Sequence, residues 1–66
     1  MDFRLFINQQ EVDRFEDEEE AEQAAQLAAA DEDNAEKVVT LQGEFSDGRY
    51  GAGIQSRTYF NDGSYA

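Results

Sequence analysis

The chain has 66 residues, a net charge of −11, and neither cysteine nor histidine. That length allows one domain (1–66) with one small core, burying only about 60% of its unfolded surface. Disulfide staples, zinc sites built from Cys and His, and histidine-based triads are excluded.

Residues 2–8 alternate, with Phe3, Leu5 and Ile7 on one face and Arg4 and Asn8 on the other; Phe6 breaks the pattern. This predicts a half-buried strand. Asn8, Gln9 and Gln10 can turn the chain. Residues 11–15 read as a short return strand, with Val12 and Phe15 as inward anchors.

Residues 17 to about 30 read as a helix. Asp17 is the expected N-cap and Glu20, three residues on, its box partner. Ala21, Ala24, Ala25, Leu27 and Ala28 make an apolar stripe at helical spacing, with Glu18, Glu19, Glu22, Gln23 and Gln26 mainly outside it. A stripe this rich in alanine adds little hydrophobic energy but lets a helix lie close on a sheet. Asp31-Glu32-Asp33-Asn34 reads as a polar loop.

Residues 36–45 predict a strand with Val39, Leu41 and Phe45 on one face and Val38 and Thr40 on the other. Ser46-Asp47-Gly48 reads as a hairpin turn, since Asp-Gly readily supplies positive φ. Residues 49–60 form the next expected strand, with Tyr50, Ala52, Ile54 and Phe60 facing inward and Gly51 and Gly53 marking a bulge or bend. The run Phe45-Ser46-Asp47-Gly48-Arg49-Tyr50 is echoed by Phe60-Asn61-Asp62-Gly63-Ser64-Tyr65. Two successive hairpin turns follow, hence a meander ending in a short strand. The predicted fold is α+β: a small antiparallel sheet of three to five strands with one helix on one face, in the order β(β)αββ(β).

The acids are not spread evenly. Residues 11–36 hold 12 of the 16 and only one base, Arg14, while the remaining charges cancel. Acids in the first helical turn complement the helix dipole by about 0.3–1 kcal/mol each. That accounts for the group near Asp17 but not for Asp31, Glu32 and Asp33, which come where the dipole disfavours them. Like charges at Glu16/Glu20 and Glu18/Glu22 each cost about 0.2–0.5 kcal/mol. The candidate partner-binding residues are therefore Asp17, Glu18, Glu19, Glu20, Glu22, Asp31, Glu32 and Asp33. Phe6, Tyr59 and Tyr65 are candidate aromatic anchors.

Catalysis is not expected. There is one lysine, and the paired carboxylates fall on an exposed helix and loop. No cofactor is expected: Gly51-Ala52-Gly53 lies inside a strand rather than before a helix. No metal site is expected either, because Asp31 to Asn34 lacks the glycine and distal glutamate of a calcium loop. No apolar run approaches the roughly 20 residues of a membrane span, and the first residues lack a signal-peptide pattern. These readings point to a cytoplasmic protein.

Asp17 to Glu22 covers about 8–9 Å of helix. Duplex DNA carries about five charges over that length, close to the number of acids here. A field of this sign repels nucleic acid and anionic membrane and attracts basic surfaces. A tiny, cysteine-free, strongly acidic chain with a helix at Asp17–Ala30 among strands and Asp-Gly hairpins resembles the small phage-encoded anti-CRISPR proteins, some of which are DNA mimics. The likeness covers the whole chain and rests on size, charge and element order. It implies a non-enzymatic inhibitor acting in the host cytoplasm, as a monomer or homodimer, on the basic DNA-binding surface of a CRISPR effector complex, type I first. Two other readings stand beside it: an immunity or antitoxin-like protein that neutralises a basic toxin or nuclease, and a small virion or assembly subunit.

Overall fold

The computed structural model of the protein describes residues 2–46 and 53–66. The chain runs β1 (Phe3–Ile7), β2 (Gln10–Phe15), α1 (Glu18–Ala30), a single 3₁₀ turn (Glu32–Asn34), β3 (Val39–Gly43) and β4 (Gln55–Tyr59). The strands form one antiparallel sheet in the order β2-β1-β3-β4. The α+β fold, with helix α1 on one face, is the predicted one.

The β1–β2 hairpin turns on Asn8 and Gln9, with φ of 51° and 69°. Positive φ at both central residues is what a tight two-residue loop between twisted strands requires. Asn8 also fastens the hairpin to the approach of β3. Its N–H donates to the Val38 carbonyl and its Oδ1 accepts from the Val38 N–H, both at 2.9 Å. The return strand at residues 11–15 is therefore present, but its inward anchors are only half right. Phe15 pairs with Phe3 and packs on the core. The pairing skips Val12 where the register shifts, and its side chain is exposed. An extra residue at a bulge loses its cross-strand partner, which is why simple alternation misplaced it.

The core follows the register. Leu5 lies opposite Leu41, and Leu41 opposite Arg57; Ile7 lies opposite Val39, and Val39 opposite Tyr59. Onto these rows α1 lays Ala21, Ala25 and Ala29, all buried. Burying each large apolar side chain contributes about 1.5–3 kcal/mol, so Phe3, Leu5, Val39 and Leu41 supply most of the core's energy. Gly43 has a specific reason to be glycine. A Cβ there would sit 2.3 Å from the Phe3 ring, which covers the bare backbone. Phe45 packs beside Phe3 with ring centroids 5.5 Å apart.

Several expectations are corrected. The buried helix stripe is Ala21, Ala25 and Ala29 with Ala24 and Ala28 beside it, whereas Leu27 is 74% exposed. The stripe is narrower than expected because only the smallest side chains meet the sheet. Asp31 to Asn34 is not an irregular loop but holds the 3₁₀ turn, capped by Asp31. β3 is shorter than residues 36–45, although its inward parity, Val39 and Leu41, is as expected. In the last strand the parity is reversed: Arg57 and Tyr59 face inward, while Ile54 and Phe60 are exposed. The shared parity of the apolar residues Ile54 and Phe60 favours the opposite arrangement. The pairing of Leu41 with Arg57 overrides it.

The turn at Asp47-Gly48 and positions Tyr50, Gly51 and Ala52 lie outside the described residues. Gly53, with φ of 88°, bends the chain just before β4. The second Asp-Gly turn is present. Phe60 N–H donates to the Ser64 carbonyl at 2.9 Å, and Gly63 takes a φ of 91°. The expected terminal strand is reduced to one bridge, Tyr59 with Tyr65, followed by paired backbone bonds between Thr58 and Ala66.

Candidate functional site

The eight carboxylates singled out in the sequence divide into two groups once the fold is known. Four are engaged in holding the structure. Asp17 is the N-cap of α1, and its Oδ2 accepts from the Glu20 N–H at 3.2 Å. Glu18 reaches from the helix start to the segment after β3. There Oε1 accepts from the Ser46 N–H at 3.0 Å and Oε2 from the Ser46 hydroxyl at 2.9 Å. Asp31 ends one helix and starts the next turn. Its N–H donates to the carbonyls of Leu27 and Ala28, and its Oδ1 accepts from the Asp33 N–H at 3.0 Å. Asn34 adds a further bond, from its amide to the Ala28 carbonyl at 2.9 Å. The acids at the C-terminal end of α1 therefore include one real cap, which the dipole argument alone did not foresee.

The fourth engaged carboxylate is Glu22, whose Oε1 lies 3.4 Å from Nη1 of Arg57. Arg57 is 1% exposed. Its guanidinium stands 3.8 Å from the centroid of Phe45 and 4.2 Å from that of Tyr65. The same Nη1 donates to the Tyr59 hydroxyl at 3.2 Å. A planar, weakly hydrated cation this close to two rings gains cation–π attraction from each, and this offsets part of the cost of its burial. Burial pushes the Tyr59 phenol above its ordinary pKa, against the opposing effect of its Arg57 hydrogen bond. Sequence reasoning missed this cluster. The signal available was the shared parity of Arg57 and Tyr59.

The remaining four, Glu19, Glu20, Glu32 and Asp33, are exposed. No side-chain hydrogen bond or ion pair to them occurs among the described residues. They sit at the two ends of α1, roughly 20 Å apart along its axis. The described bases do not neutralise them. Arg4 and Arg14 are paired with Glu11, and Arg14 also with Asp2, around the β1–β2 hairpin. The Arg4 hydrogen bond holds the Glu11 carboxyl below its ordinary pKa.

The proposed aromatic anchors are mostly unavailable. Tyr59 is 4% exposed, and Tyr65 packs against it with its ring tilted by 43° and centroids 5.3 Å apart. Phe6 is half-buried on the open sheet face under Arg4, 5.2 Å from the guanidinium carbon. Phe60, taken as inward in the sequence, is exposed.

No three metal-ligating side chains converge among the described residues. Among those residues no helix is long and apolar enough to cross a membrane. Comparison with protein-family models, curated proteins and solved structures found no match.

Proposed function

We propose that the protein is a non-enzymatic inhibitor that occupies a basic DNA-binding surface on a larger complex, with a CRISPR effector of the multisubunit type I class as the first candidate. The observation that carries this reading is the set of unpaired carboxylates at both ends of α1: Glu19 and Glu20 at one, Glu32 and Asp33 at the other. They are exposed and without a side-chain partner among the described residues, Glu19 and Glu20 on the capped helix and Glu32 and Asp33 on the 3₁₀ turn that follows it. Asp17, Glu18, Glu22 and Asp31 set the rigidity of that surface, and the four free acids supply the charge that meets partner lysines and arginines. Steering by such a field makes association fast and strongly dependent on salt.

The test is capture of partners from bacterial lysate with the immobilised protein, at low and at high salt. In parallel a Glu19→Lys/Glu20→Lys/Glu32→Lys/Asp33→Lys variant is run. Retention of a DNA-binding complex that salt, added DNA and the variant all release is the expected result. Equal retention by the variant would sink charge mimicry. A small basic toxin or nuclease as the sole companion would favour the immunity reading, in which the same carboxylates meet a different basic partner.

A further inference from the structure

Leu27 is the most exposed large hydrophobic side chain among the described residues: a leucine 74% exposed, in the last turns of α1. It does not stand on a featureless surface. A groove of about 650 Å³ runs between α1 and the turn at residues 61–63. Leu27 and Ala30 form its apolar part, and the carboxamides of Gln23, Gln26 and Asn61 edge it, with Asp62 on the opposite lip. Residues 23, 26, 27 and 30 follow helical spacing, so they share one face of α1. Glu19 and Glu20 lie one turn before Gln23 on that same face. Glu32 and Asp33 follow beyond its other end. The Asp62 carboxyl accepts from the Ser64 hydroxyl and N–H, which holds its pKa below the ordinary value and keeps it ionised.

An apolar centre, amide edges and a ring of negative charge match the anatomy of a protein-binding surface: a desolvated anchor point inside a polar rim. The charge around the groove selects its occupant. We propose that the groove receives one apolar side chain from a lysine- or arginine-rich segment of the protein partner, which packs against Leu27 while the flanking basic residues lie on Glu19, Glu20 and Asp62. This rests on the partner-binding reading above and adds to it a contact that DNA itself cannot make. A DNA groove offers phosphates but no leucine, so the inhibitor discriminates a protein surface in a way that salt does not screen.

The experiment titrates the isotope-labelled protein with two short lysine-rich peptides that differ only at one central position, phenylalanine in one and alanine in the other. The phenylalanine peptide should bind roughly tenfold more tightly. The gap should persist at high salt, and the amide signals of Gln23, Gln26, Leu27 and Gly63 should move. Leu27→Ala leaves the core untouched because the side chain is exposed. It should erase the difference between the peptides while preserving binding of the alanine peptide. Equal affinity for the two peptides, or a preference that survives Leu27→Ala, overturns the proposal. The outcome separates from the charge-mimicry reading. Acid-dependent inhibition with no peptide preference would retain mimicry and remove the groove. A Leu27-dependent preference in a protein that displaces no DNA would retain the groove and remove mimicry.

Discussion

Gln9 holds a φ of 69° with a full side chain. Left-handed backbone costs a non-glycine residue about 1–2 kcal/mol, and glycine would give back about 0.5–1 kcal/mol in chain entropy. Gln9→Gly should therefore raise stability by about 0.5–1 kcal/mol. A higher denaturant midpoint at unchanged slope is the signature, and a lower one would mean the side chain itself stabilises the turn. Asn8 is the worse choice for this substitution, since its side chain bonds to Val38. A second residue-scale expectation concerns Tyr59, whose phenol is raised above 10.0 chiefly by burial. The unfolded chain gives up that proton first. The group's contribution is complete below pH 10 and is lost as the pH climbs through the folded-state pKa. Denaturant midpoints should fall across that range, and Tyr59→Phe should flatten the fall. An equally steep decline in the variant would assign the alkaline loss to other groups.

At the scale of elements, α1 lies on the sheet through three alanines, so the spacing leaves no room for more. Ala25→Leu should cost about 1–3 kcal/mol, because added methylenes in a packed contact force helix and sheet apart. Thermal unfolding reads this directly, and an unshifted melting temperature would mean the contact is loose. The same contact shows what was legible in the sequence. The capped helix, β1, the inward parity of β3 and the turn at Asp62-Gly63 all follow from local rules of capping, alternation and turn chemistry. The parity of β4 does not, because burying Arg57 depends on rings from Phe45 and Tyr65 and a carboxylate from α1. The division of the acidic patch was equally invisible. Glu18 is structural only because Ser46, 28 residues along the chain, comes to meet it. Nothing local marks off the four free candidates, Glu19, Glu20, Glu32 and Asp33, from the four engaged ones.

The whole molecule is a small body, 32 × 20 × 19 Å, carrying a charge of −11. At that size, most like charges lie within a few screening lengths of one another. Raising salt from about 0.01 to 0.1 M shortens the Debye length from about 30 to about 10 Å. The melting temperature should rise with it. A fall would show that the pairs of Arg4, Arg14 and Arg57 outweigh the repulsion. The sheet edges also bear on partners. β2 presents a bulge and the charges of Glu11, Asp13 and Arg14, and β4 is partly covered by the bonds between Thr58 and Ala66. Both devices discourage strand addition, which weighs against an assembly subunit that polymerises through its edges. The sheet order has a last consequence. β1 and β3 are its two central strands, yet β2 and α1 lie between them along the chain. The hairpin and the helix can form from neighbouring residues, but the centre must wait for a distant segment to arrive, so its closure sets the pace of folding. Severed between α1 and β3, the chain would give two fragments holding one central strand each, and each would serve as the template on which the other folds.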